Sequence, residues 1–135
     1  METAVLSKRF WVYFINLVIY VLVGFLSSLP FLLVLHFHPL LYVLFAVLIS
    51  MILSFVLDYI LLVSTKGFTI GSAIFGVKYV GYDGKVITDK QAFIRSGSET
   101  ILIFVLFDLI YFIKNRTERG VIDRLSDTFA IDLRR

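Results

Sequence analysis

The sequence predicts an all-α membrane protein built on an antiparallel hairpin of two transmembrane helices. Of its 135 residues, 59% are hydrophobic and 17% charged, whereas soluble domains are about 45–50% apolar and about 25% charged. The stretch between Arg9 and Lys66 contains a single formal charge, Asp58, and is long enough for two spans of about 20 residues each. The remaining chain is too short for a separate catalytic domain, and the lack of cysteine excludes disulfides and thiolate chemistry.

The two predicted spans cover residues 10–35 and 40–63, and residues 36–39 connect them. A connection this short makes the two helices antiparallel neighbours. Lysine and arginine precede the first span and follow the second, whereas the connection has neither. The positive-inside rule therefore predicts a cytoplasmic N-terminus and a cytoplasmic segment 64–98.

The cytoplasmic segment begins with a glycine-rich apolar stretch, 66–76, which suits a short interfacial helix at the level of the lipid headgroups. Residues 77–88 are typical of a β-hairpin, because Asp83-Gly84 tolerates the positive φ angles of a two-residue turn. Large apolar residues alternate with smaller or polar ones over 128–133, as in a strand. We expect this C-terminal strand to join the hairpin, because an isolated hairpin is marginally stable. This pairing should leave Arg124 and Asp127 beside Arg95.

A third, short hydrophobic helix is predicted over about residues 99–114. It contains Asp108 and is short for a full span. Two arrangements remain open: a re-entrant or inclined helix whose tail, 115–135, returns to the cytoplasm, and a full crossing. The many arginines of the tail favour its retention inside.

Small and hydroxyl-bearing residues recur every four positions in both spans. In an antiparallel hairpin centred on Phe37, residues whose numbers sum to 74 lie at equal depth, and these pairs are Asn16 with Asp58, Tyr20 with Ser54, Gly24 with Ser50, and Ser28 with Ala46. Such spacing indicates a helix-packing seam. The alternative is a polar track for ions.

Carboxylates within apolar segments are the candidate ion-coupling groups. A carboxylate in hydrocarbon must pair with a cation or hydrogen-bond donors, or take up a proton. This applies to Asp58, for which Asn16 and Arg9 are candidate partners, and to Asp108; for both, a purely structural role is the alternative. His36 and His38 without a third ligand do not predict a metal site, and no cofactor is expected.

The order of these features resembles the RDD family of small bacterial integral membrane proteins, named for an arginine and two aspartates. The resemblance covers nearly the whole chain. Its motifs are Lys8-Arg9-Phe10, Thr69-Ile70-Gly71 through Gly76-Val77-Lys78-Tyr79-Val80 to Asp83-Gly84, and Arg124-Leu125-Ser126-Asp127. Asn16 replaces the family's aspartate seven residues after the arginine, and Ser72 replaces its usual lysine. The resemblance implies transport, with cation/proton exchange proposed for some members.

The candidate residues for such a function are Arg9, Asn16, Asp58, Asp108, Arg124 and Asp127. We expect a non-enzymatic, multi-pass protein of the cell membrane that moves a cation or small solute as a homo-oligomer, since three short helices cannot enclose a path. The alternative is an accessory or scaffold subunit of a larger membrane complex that docks a partner through its cytoplasmic sheet. The expected surroundings are the lipid bilayer rather than nucleic acid, because the basic residues flank spans.

Overall fold

The computed structural model describes residues 4–35, 38–115 and 119–133, without the side chains of 33–35. The predicted turn residues 36 and 37 and the tail residues 116–118, 134 and 135 lie outside the described residues. The elements, in chain order, are α1 (Leu6–Leu35), α2 (Pro39–Ser64), α3 (Ile70–Phe75), β1 (Val77–Gly81), α4 (Asp89–Thr100), α5 (Leu102–Asn115), α6 (Val121–Leu125) and β2 (Thr128–Asp132).

Helices α1 and α2 pack against each other and are both long and apolar enough to cross a membrane. Their outward side chains are large, apolar and exposed, among them Phe25, Leu26 and Leu44. Such continuous apolar surface suits a lipid environment. The two long apolar helices predicted from the sequence are therefore confirmed, and each begins or ends within about four residues of its predicted bounds.

Strands β1 and β2 form a two-stranded antiparallel sheet, in which Val77 pairs with Asp132 and Gly81 with Thr128. The predicted pairing of the C-terminal strand is confirmed, but the predicted hairpin is wrong. The turn forms at Asp83-Gly84, with Gly84 at φ 76°, yet residues 85–88 contribute a single bridge, Val80 to Val86. The reason is that Thr88 is the N-cap residue of α4, so too few residues remain after the turn to form a second strand.

The outer edges of this sheet are partly covered by other segments of the chain. On the free edge of β1, Tyr79 N–H donates to Gly67 O at 2.8 Å and Gly81 N–H donates to Lys85 O at 2.9 Å. On the free edge of β2, Ala4 N–H donates to Ala130 O at 2.9 Å. These bonds attach segments from different parts of the chain to the two strands. We call the unit formed by β1, β2 and the segments bonded to them the cap; it lies beside the helical hairpin.

Helices α4 and α5 meet at a bend of 95° near Ile101. The third hydrophobic helix is present as α5, whereas α4 is not among the predicted elements. Its start is explained by a capping box, in which Thr88 accepts from Gln91 N–H and Gln91 accepts from Thr88 N–H. Because α6 packs on both α4 and α5 and β2 returns to β1, the segment between the strands leaves from and returns to the same cap.

Candidate functional site

A buried carboxylate, Asp123, joins two arginines from distant parts of the chain. Arg9 on α1 donates through Nη1 to Asp123 Oδ2. Arg95 on α4 donates through Nη1 to Asp123 Oδ1 at 2.7 Å. All three side chains are at most 3% exposed. The packing of α1, α4 and α6 thus depends on a charge network that excludes water.

Local structure holds Asp123 in place. Helix α6 is a short helix whose Ile122 and Asp123 face inward, and Gly120 N–H donates to Asp123 Oδ2 at 3.3 Å. Burial alone would raise the pKa of Asp123, but the guanidinium groups of Arg95 and Arg9 outweigh burial and hold its pKa below the ordinary value. Asp123 is therefore an anion at neutral pH.

The same guanidinium of Arg95 reaches a second carboxylate, Glu99, one turn along α4. Their Nε and Oε1 atoms are 2.8 Å apart, and the side chain of Glu99 is 3% exposed. Within the described residues, neither oxygen of Glu99 has a hydrogen-bond partner of good geometry. We call Arg9, Arg95, Glu99 and Asp123 the arginine cluster. The guanidinium of Arg95 also donates to Thr128 Oγ1 at 2.9 Å and lies over the ring of Tyr79, with Cζ 3.6 Å from the ring centroid.

Asp58 lies on α2 with 1% exposure, and the hydroxyl of Tyr20 on α1 donates to it. Asn16, the candidate partner from the sequence, is not hydrogen-bonded to Asp58 in the described residues. Asn16 instead donates to Thr69 Oγ1 at 3.0 Å and accepts from Gly71 N–H at 2.8 Å. The physical reason is that the start of α3 lies against α1 and offers these partners, while the long side chain of Tyr20 spans the extra turn to Asp58.

The helix-packing seam between α1 and α2 is tight at Gly24, where a Cβ atom would overlap the side chain of Ser50. Ser28 contacts the hydroxyl of Tyr42 at 3.0 Å. Other seam positions bond within α2: Ser50 donates to Ala46 O and Ser54 to Met51 O, both at 2.9 Å. The seam thus combines close backbone approach with satisfied hydroxyls.

Asp108, the carboxylate within α5, is 1% exposed and has two donors. The hydroxyl of Tyr13 and the backbone N–H of Ile122 each lie 2.8 Å from its oxygens. Its carboxylate therefore caps the start of α6 and ties α1 to α5.

A cavity of about 700 Å³ lies between α1, α2 and the α4–α5 bend. We call it the groove. Most of its lining is apolar, with Leu17, Val47 and Leu106 as examples, whereas Asp58 and Glu99 line one end. Two carboxylates thus lie at the wall of an apolar space.

The sequence-predicted residues separate into two groups. Arg9, Asn16, Asp58 and Asp108 are buried around the contacts of α1 with its neighbours. Arg124 and Asp127, predicted beside Arg95, lie elsewhere: Arg124 stacks over Tyr111 at 5.2 Å, and Asp127 is 71% exposed and faces Arg119 at 3.5 Å. The partner of Arg95 is Asp123, because the turn after α6 directs Asp127 outward.

Sequence reasoning did not identify Asp123, Arg95 or Glu99 as site residues. A usable signal was present. Arg9 and Arg95 lie close to apolar segments, where a buried arginine requires an anion as partner. Asp123 directly follows the apolar pair Val121-Ile122 and the preceding Gly120, which is the pattern expected for an inward-facing residue of a short helix.

A comparison with protein families identifies one match: the family model described as RDD family covers residues 3–127. That range includes every member of the arginine cluster, both groove carboxylates and the whole seam. No curated protein and no solved structure gives a significant match. With nearly the whole length matched by its model, the chain belongs to the RDD family.

Proposed function

We propose that this protein exchanges a cation or small solute for protons across the cell membrane, as a non-enzymatic homo-oligomer in which Asp58 is the coupling carboxylate. The observation that carries the proposal is the position of Asp58. It is a buried carboxylate on a membrane-spanning helix, it lines the groove, and its hydrogen-bond donor in the described residues is the neutral hydroxyl of Tyr20. Intramembrane carboxylates of this kind mark ion and proton pathways.

The arginine cluster has a positioning role in this proposal. Glu99 shares the groove with Asp58 and is ion-paired with Arg95, which is fixed in turn by Asp123. Asp108 is held by Tyr13 and the start of α6, so it contributes to transport by holding α1 against α5. An oligomer is required because the groove opens sideways, and one chain has too few helices to enclose a path.

We further propose that both termini are cytoplasmic and that α4 and α5 form a re-entrant unit. The pairing of β2 with β1 and the packing of α6 on α4 support this, because both ends of the unit meet one cap. The basic residues near the cap support its cytoplasmic location.

The test is proton flux in vesicles containing the purified protein, started by adding Na⁺, K⁺ or Li⁺. Asp58→Asn should abolish cation-dependent flux while the protein remains folded. Asp89→Asn, which changes an exposed carboxylate at the start of α4, is the matched control and should retain flux. Absence of flux in the wild type with every cation would overturn exchange of these ions and favour the accessory-subunit alternative.

A further inference from the structure

The groove is chemically asymmetric along its length. Several of its polar lining groups are committed elsewhere: Ser50 and Ser54 donate to carbonyls of α2, and Tyr42 contacts Ser28. The carboxylates Asp58 and Glu99 both line the groove and are close enough to interact electrostatically. The groove therefore has an acidic end and an otherwise apolar wall.

The apolar part of the groove is long and faces the surrounding lipid. Its lining runs along α1 from Phe10 to Phe25, which at 1.5 Å per residue is about 22 Å. On the other side, Val43 and Val47 of α2 and Leu102 of α5 line the groove and remain at least half exposed. An alkyl chain could enter between these helices from the bilayer.

The acidic end lacks a full set of cations among the described residues. Arg9 and Arg95 are matched by Asp123 and Glu99 within the arginine cluster. Asp58 adds a further carboxylate to the groove lining. Glu99 Oε1 is ion-paired with Arg95 Nε at 2.8 Å, whereas Glu99 Oε2 is buried without a hydrogen-bond donor among the described residues. A cationic group with several N–H donors would satisfy both carboxylates.

We infer that the groove binds an amphipathic primary amine, with its alkyl chain between α1, α2 and α5 and its ammonium group beside Asp58 and Glu99. This inference rests on the proposed function and names the substrate class of the same site. An inorganic cation would leave the long apolar wall of the groove without contacts. A neutral alkyl chain would leave the two carboxylates without a cation, and an anion would be repelled by them. A primary amine, like the side chain of lysine, is charged at neutral pH.

The experiment uses the full chain in discs of phosphatidylcholine and a photoreactive alkylamine carrying a diazirine on its chain. Labelled residues are mapped by mass spectrometry, with dodecylamine, dodecanol or dodecanoate as competitor. The expected result is labelling of groove residues, such as Val47 and Leu102, that dodecylamine suppresses and the neutral and anionic analogues do not. Equal suppression by dodecanol would overturn the inference, because it would indicate a groove for lipid chains without selection for charge.

Two variants test the two ends of the groove separately. Glu99→Gln removes one charge and should weaken competition by dodecylamine about tenfold or more, whereas Asp89→Asn should leave it unchanged. Val47→Trp should block labelling by filling the groove. Its matched control is Leu48→Trp, since Leu48 is similarly exposed on α2 but does not line the groove. Val47→Trp therefore keeps the inference falsifiable if Glu99→Gln does not fold.

The remaining outcomes distinguish this inference from the proposed function. The inference is overturned if labelling persists in the Glu99→Gln variant and also in the Val47→Trp variant. It is likewise overturned by crosslinks that show a second copy of the chain in the groove. Cation-dependent proton flux without amine binding would overturn the inference alone. Selective amine binding without flux by Na⁺, K⁺ or Li⁺ would support it and count against exchange of inorganic cations.

Discussion

Asp123 binds two arginines on different helices, Arg9 on α1 being 114 residues away and Arg95 on α4 being 28 residues away. Taking such groups out of water costs several kcal/mol per ion, and their mutual attraction repays this only when every partner is present. The loss of one partner would leave the other charges buried and unmatched. Asp123 is therefore the residue on which the joining of α1, α4 and α6 most depends.

Asp123→Asn should lower the free energy of unfolding by about 3–5 kcal/mol, because both guanidinium groups lose their shared anion. The measurement is denaturant unfolding in detergent micelles followed by circular dichroism. The control is Asp127→Asn, at an exposed carboxylate four residues on, which should change stability by less than about 0.5 kcal/mol. Equal effects of the two substitutions would contradict the buried network.

The same comparison at different pH values tests the charge of Asp123. Its pKa in the folded state lies below the ordinary value of 3.8, so folding favours the anion. The stabilisation from this shift is fully present above that ordinary value and is lost as the pH falls through the lower, folded-state pKa. The stability difference between the wild type and Asp123→Asn should thus shrink as the pH falls below about 4.

The order of the charged residues along the chain is read directly from the sequence. Which of two neighbouring carboxylates is buried cannot be read in the same way. Asp123 and Asp127 flank Arg124 on either side, and only the backbone decides which one faces inward: Asp127 has φ 52° and turns away after α6. Asn16 and Asp58 were predicted to lie at equal depth on facing helices, and both are buried. Their partners were not predicted, because side-chain length and the docking of α3 do not follow from helical spacing.

Among the elements, the contact of α1 with α2 depends on close backbone approach at one point. Gly24 lies directly against Ser50, in the only seam position that is glycine on α1. Helix association in lipid relies on packing and hydrogen bonds rather than on the hydrophobic effect. The missing side chain at this position is therefore what permits the hairpin to close.

Gly24→Ala should destabilise the helical hairpin by about 1–3 kcal/mol, because the added methyl group overlaps Ser50. Gly97→Ala is the matched control, since a Cβ there would lie 3.7 Å from Phe55, an ordinary contact. That substitution should be neutral or stabilising by up to about 1 kcal/mol through helix propensity. Both are compared by thermal unfolding in the same detergent, and a Gly24→Ala protein as stable as the wild type would exclude a tight seam.

Some of the helices and strands could be predicted from the sequence, and others could not. Hydropathy and length predicted α1, α2 and α5, and alternation predicted β2. The hairpin over 77–88 was wrong because the turn signal at Asp83-Gly84 says nothing about how long the following strand is. The capping pattern Thr88-x-x-Gln91 carried that information, and it begins α4 where the second strand should have continued.

For the whole molecule, the proposed orientation places His38 outside and the cap inside. The chain lacks cysteine, so single exposed cysteines can report each side without background. His38→Cys should react with an impermeant thiol reagent in intact cells, whereas Asp83→Cys and Asp127→Cys should react only after permeabilisation. The inverse pattern would refute the orientation. Opposite accessibility of positions 83 and 127 would refute the cap itself, since Tyr82 N–H donates to Asp127 O at 3.0 Å.

The contacts between the two ends of the chain set the order in which the protein can be assembled during synthesis. Arg9 and Lys8 enter the membrane surface with the first helix, but their carboxylates, Asp123 and Asp132, follow 114 and 124 residues later. The hairpin of α1 and α2 can form while translation continues, because its contacts are local in sequence. Until Asp123 leaves the ribosome, the first helix is inserted with Arg9 still lacking this carboxylate, and the network is complete only when Asp123 reaches both Arg9 and Arg95.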